Sequence, residues 1–132
     1  MSYFLDTNTC IYFLKNKSQA ILDKFNSIDT SEVKIPSIVA AELYYGASKS
    51  IKRNDNLAKI TKFISLYDIV SFDKKSAEVY GDVRGKLEVT GNIIGGNDLL
   101  IAAIVLANNG ILVSHNVKEF ERVENLLLED WF

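Results

Sequence analysis

The sequence predicts a three-layer α/β domain, with a central and mainly parallel sheet of four to five strands between two layers of helices. Two observations carry that expectation. Short, largely apolar runs recur along the chain (Tyr3-Phe4-Leu5, Val33-Lys34-Ile35, Ile111-Leu112-Val113), each halted by polar or turn-forming residues. Between them lie longer stretches whose apolar residues repeat every three or four positions, the period of a helix with one buried face. Strands alternating with helices in this way build a parallel sheet covered on both sides. The length of 132 residues suits one domain spanning 1–132.

Taken in order, Tyr3-Phe4-Leu5 is the first strand and Asp6-Thr7-Asn8 stops it. The first helix is predicted over Thr9 to Leu14. Ser18 caps a second, on which Ala20, Ile21, Phe25 and Ile28 keep a helical period. Val33-Lys34-Ile35 follows as a strand closed by Pro36, the only proline. Ser37 is then predicted to cap a helix to about Gly46, with Ile38, Ala41 and Tyr45 on its apolar stripe and Glu42 inside it. Asn54 or Asp55 starts the next helix, with Leu57, Ile60, Ile64 and Tyr67 in period. A third strand falls within 68–72. Asp73 caps a long helix that ends before Gly91 and repeats Ala77, Tyr80, Val83 and Leu87.

Gly95-Gly96 leads into Asn97, a favoured N-cap residue, which puts Asp98 in the first helical turn, where negative charge is stabilised. Leu99 to Leu106 is almost wholly apolar, so this helix is predicted to be buried on nearly every side. Asn108-Asn109-Gly110 ends it, with Gly110 as the left-handed cap residue. Ile111-Leu112-Val113 is the fourth strand, its apolar character that of a central parallel strand. Asn116 caps a short helix carrying Glu119, and Leu126-Leu127-Leu128 adds an edge strand.

Composition narrows the function classes. A net charge of −2 does not announce a nucleic-acid binder, yet Lys49, Lys52, Arg53, Lys59 and Lys62 form a basic stretch broken only by Asp55. Cys10 is the sole cysteine, which excludes an intramolecular disulfide and reads as a small buried hydrophobe. The start of the chain carries no secretory signal, and no apolar run approaches the roughly 20 residues of a membrane span, so a cytoplasmic, membrane-free protein is expected.

The acids point to chemistry. In parallel sheets ligands bind beyond the carboxyl ends of the strands. Asp6 and Ser114-His115-Asn116 follow strands, and Asp98 begins a helix from a loop at what reads as the same edge. Glu42 is the third acid, and either Asn116 or Glu119 completes the set. Carboxyls crowded together repel and hold their protons unless a cation intervenes. Hard oxygen donors select Mg²⁺, with Mn²⁺ an alternative, and such ions activate water and neutralise charge on a phosphodiester. Thr7 is expected to orient Asp6 or a water beside it.

Rival chemistries lack their parts: there is no Gly-x-Gly-x-x-Gly or Walker loop and no nucleophile elbow. Neither Cys10 nor His115, the sole histidine, has partners for a zinc site. His115 is expected to be structural or to touch substrate.

Leu5-Asp6-Thr7-Asn8, Ala41-Glu42-Leu43 with Tyr45-Gly46, and the run from Gly95 to Ala103 resemble the PIN-domain ribonucleases, above all the VapC toxins of type II toxin–antitoxin systems. Phe72-Asp73, Tyr80-Gly81 with Arg84, and Val113 to Phe120 extend the similarity over essentially the whole chain. The resemblance implies a PIN-like domain and a metal-dependent endoribonuclease, with Asp6, Glu42 and Asp98 as Mg²⁺ ligands and Glu119 or Asn116 completing the catalytic set. Some relatives have aspartate where this chain has Asn116, and many have proline at the place of Gly96. The resemblance further implies RNA substrates, tRNA among them, a homodimer, and a VapB-type antitoxin that blocks the site. The alternative on the same fold is a module that binds RNA or protein without cutting; a phosphohydrolase or DNase is a third.

Overall fold

The structure, a computed structural model, describes residues 1–132. Five strands, β1 (Tyr3–Leu5), β2 (Val33–Pro36), β3 (Asp68–Val70), β4 (Ile111–Val113) and β5 (Leu127–Glu129), form one sheet in the order β3-β2-β1-β4-β5. Every neighbouring pair is parallel. Seven helices flank the sheet: α1 (Thr7–Leu14), α2 (Gln19–Ser27), α3 (Ser37–Ser48), α4 (Arg53–Ile64), α5 (Lys74–Thr90), α6 (Gly96–Ala107) and α7 (Val117–Phe120). The three-layer α/β/α architecture is as the sequence predicts.

Chain order runs outward from β1 through β2 to β3, then returns to β4 on the other side of β1. Strand order therefore reverses between β1 and β4, and helices leaving those strands diverge there to open a crevice at the carboxyl edge. The register aligns Leu5 with Val113, so Asp6 and Ser114 leave the sheet side by side. A hydrogen bond from the Asp6 N–H to the Val113 carbonyl (3.1 Å) fixes the pair. The central strands are apolar because both faces are covered: Phe4, Leu5, Val33, Ile35, Leu112 and Val113 are all buried. Helix α6 is buried from Ile101 to Val105 without a break, as expected for a helix lodged against the sheet.

Several local expectations are corrected. Helix α1 starts at Thr7 rather than Thr9, because the Asp6 carboxylate itself caps it, accepting from the Thr9 N–H at 2.9 Å. Ser37 lies inside α3, and its hydroxyl accepts from the Phe72 N–H instead. The buried face of α3 is Val39, Ala40, Leu43 and Ala47, whereas Ala41 and Tyr45 are exposed. On α2 and α5 the alanines Ala20 and Ala77 are exposed, and Ser76 is buried in their place on α5, its hydroxyl donating to the capping Asp73. The left-handed residue after α6 is Asn109 (φ 54°), not Gly110. Gly110 is needed for a different reason: a side chain there would strike the Phe4 ring. Ser18, Asp73 and Gly91 take the positions predicted for them.

Candidate active site

Asp6, at the carboxyl end of β1, is 7% exposed. Its Oδ1 is engaged by the α1 cap, so the acid is held rigidly at the mouth of the crevice. Thr7 reaches across to α3, its hydroxyl donating to Glu42 Oε1 at 2.6 Å. Of the two roles expected of Thr7, orienting Asp6 or a water, the first is corrected: the acid its hydroxyl orients is Glu42. The second Glu42 oxygen accepts from Asn97 Nδ2 at 3.3 Å. Asn97 is not the cap of α6. Gly95 takes that position without a side chain, which frees the Asn97 amide to bridge α6 to α3. Sequence reading missed this contact because asparagine before an apolar helix signals a cap so strongly.

Glu119, on α7, approaches from the other side. Its Oε1 accepts from the Gly95 N–H at 2.9 Å and its Oε2 from Asn116 Nδ2 at 2.8 Å. Asn116 and Glu119, offered by sequence as alternatives, are one unit: the amide positions the acid. A point at the Cβ position Gly95 lacks lies 3.5 Å from Asp98 Oδ2 and 3.6 Å from Glu119 Oε1, so both acids crowd the same loop.

The electrostatics follow from that crowding. Burial, the adjoining Glu119 carboxyl and the charges of Glu42 and Asp6 push Asp98 up to about 7. Glu119 moves below its ordinary value because the Gly95 N–H and the Asn116 amide donate to its charged form. Between these two neighbours Asp98 is the one that keeps a proton. Cys10, fully buried in α1, has its thiol pushed well up by burial and by Asp6, and behaves as the small hydrophobe predicted.

As the side chains stand, no three His, Cys, Asp or Glu groups converge closely enough to grip a metal ion. The donor chemistry fits a hard cation nonetheless: the crevice presents carboxylate, amide and hydroxyl oxygens, with no thiolate. A bound cation would favour the charged form of Asp98, a carboxyl whose proton burial and the neighbouring acids hold to about 7.

Fold and site together define a class, a parallel α/β/α domain with an acid-lined crevice at its switch point. The family model described as "PIN domain" matches residues 3–126. The chain is 43% identical to "Ribonuclease VapC2" of Rickettsia felis, covering 99% of this chain and 98% of that protein. It is 38% identical to "tRNA(fMet)-specific endonuclease VapC" of Salmonella typhimurium, with the same coverage. Among solved structures, VapBC2 from Rickettsia felis bound to a promoter DNA fragment superposes with a TM-score of 0.93 at 41% identity, over the full length of both chains. The chain belongs to the PIN-domain family, and the full-length relatives just named are VapC ribonucleases.

Proposed function

We propose that this chain is a Mg²⁺-dependent endoribonuclease, the toxin of a VapBC-type toxin–antitoxin pair, acting in the cytoplasm on structured RNA with tRNA as the first substrate class to test. One observation carries the reading: at the switch point Asp98 feels the charges of Glu119, Glu42 and Asp6, acids from separate parts of the chain, and with burial they hold it up to about 7. The names of the full-length relatives support it. Asp6, Glu42 and Asp98 would hold Mg²⁺, for which Mn²⁺ is the natural substitute. When bound, the ion would supply activation of water and neutralisation of charge on a phosphodiester. The protein's own groups prepare that place. Thr7 and Asn97 fix the two Glu42 oxygens, the α1 cap immobilises Asp6, and Asn116 with the Gly95 N–H keeps Glu119 ionised.

A groove of about 320 Å³ begins at Glu42 and runs between α1, α3 and α4, lined by Ile11, Leu14, Leu43 and Ile60 with Lys15 and Lys59 among its lining residues. It suits an apolar peptide segment whose basic side chain reaches the acids, which is how a VapB-type antitoxin would silence the site. Tyr44 and Tyr45, 39% and 64% exposed, are available to a homodimer or to that partner rather than to the core.

The test is cleavage of total tRNA by antitoxin-free protein with Mg²⁺, beside an EDTA control and Asp98→Ala. Discrete fragments lost in both controls are expected. Fragments that persist with Asp98→Ala would refute the assignment. Asp98 is the better target than Asp6, because Asp6→Ala also removes the α1 cap, worth about 1 kcal/mol of stability.

A further inference from the structure

We propose that His115, backed by Phe132, is a stacking platform for a nucleobase of the RNA strand entering the acid site; the assignment rests on the nuclease reading above. His115 sits at the carboxyl edge of the sheet, between Ser114, which ends β4, and Asn116, whose amide holds Glu119. Its imidazole lies nearly parallel to the Phe132 ring, 4.3 Å between centroids and 12° between planes. Phe132 in turn meets Tyr12 of α1 edge-on, at 4.8 Å and 77°. Three rings thus touch in series, Tyr12 to Phe132 to His115, and His115 is the one next in the chain to Asn116, which holds Glu119.

The series is built, not incidental. Asp130 Oδ2 lies 3.0 Å from His115 Nδ1, and Asp130 Oδ1 accepts from the Phe132 N–H at 3.0 Å, so one carboxylate sets both rings. The intervening Trp131 is 2% exposed, packs against Tyr3 and Phe25, and donates to Glu129, which anchors the segment. Rings fixed in advance lose little freedom when a ligand arrives. Yet the stack is unfinished: the His115 side chain is 63% exposed, and Phe132 and Tyr12 are exposed beside it.

The chemistry favours a base as the occupant. The acids repel phosphate wherever a cation does not offset them, so a contact that carries no phosphate charge adds to the hold on a strand there. Unpaired bases stack on aromatic and histidine rings, and every base offers a π-face, so such a platform holds a strand without reading its sequence. The role is stacking and positioning; it needs no proton transfer by the imidazole.

The test compares His115→Ala, His115→Phe and His115→Lys in tRNA cleavage, and in tRNA binding on an Asp98→Asn background. His115→Ala is expected to raise KM and weaken binding about 5- to 100-fold, with kcat nearly unchanged. His115→Phe is expected to restore both, and His115→Lys not to. Phe132→Ala should reproduce the His115→Ala effect in part. Wild-type KM with His115→Ala, or rescue by Lys but not Phe, would overturn the platform while leaving the nuclease reading intact. Wild-type protein that neither cuts nor binds tRNA would overturn both. Unaltered thermal unfolding of the His115 variants separates substrate contact from loss of fold.

Discussion

At the scale of single residues, Asp98 is where burial and charge meet. A carboxylate in the first turn of a helix is ordinarily stabilised by the helix dipole. Here burial and three neighbouring acids outweigh that effect and raise it from 3.8 to about 7. The sign for stability follows directly. Between those two values the folded protein holds a proton that the unfolded chain has released, so metal-free stability falls as pH rises from about 4 to about 7 and then levels off. Denaturant unfolding in EDTA across that range should show the decline, and Asp98→Asn should flatten it. Parallel pH profiles for the two proteins would remove Asp98 as the cause. Asp6 at a strand end and Asp98 at a helix start are legible from the sequence as acids emerging at one edge, whereas Glu42, inside a helix, stands out only through the resemblance to PIN-domain ribonucleases, and Glu119 only as an alternative to Asn116. What these acids bond to is not legible. Thr7 and Glu42 are 35 positions apart, and no local preference reports a contact that only α3 packing against α1 creates.

At the scale of elements, the two most apolar helices behave differently under sequence reading. Helix α6 is apolar all round, so any choice of face buries it, and the prediction holds. Helix α3 is also rich in apolar residues, but only one face of it is buried. Ile38, Ala41 and Tyr45 make as good a stripe as Val39, Ala40, Leu43 and Ala47, and tertiary packing selects the second. The exposed stripe is then left with Tyr45, on which Lys49 places its ammonium 4.7 Å from the ring centre. Gly110 shows the same limit at a turn. The sequence marks it as a turn glycine, but the reason for glycine is the Phe4 ring and the Ser2 carbonyl, 3.2 Å from a would-be Cβ, rather than a left-handed backbone. Gly110→Ala should therefore destabilise the fold by about 1–3 kcal/mol through overpacking between β1 and β4. Chemical denaturation reads this directly, and an unchanged midpoint would show that Phe4 moves aside freely.

At the scale of the whole molecule, alternation of strand and helix made the parallel sheet legible, but not the order β3-β2-β1-β4-β5, which depends on which strands pair. That order decides the function. It places the reversal between β1 and β4, so that Asp6 and the Ser114-to-Glu119 segment face each other, with α3 and α6 supplying Glu42 and Asp98 across the gap. The same edge carries the stacked rings of His115 and Phe132, so cutting and holding of a strand would share one rim.

On the proposed function, these acids form a site for a divalent cation. This is tested most directly by titrating Mn²⁺ into the purified protein at neutral pH and following the free ion by electron paramagnetic resonance, beside Asp98→Asn and Glu42→Gln. Saturable binding by the wild type, displaced by Mg²⁺ and weakened about tenfold or more in each variant, is the expected result. Binding that is absent from the wild type, or equal in all three proteins, would contradict the claim.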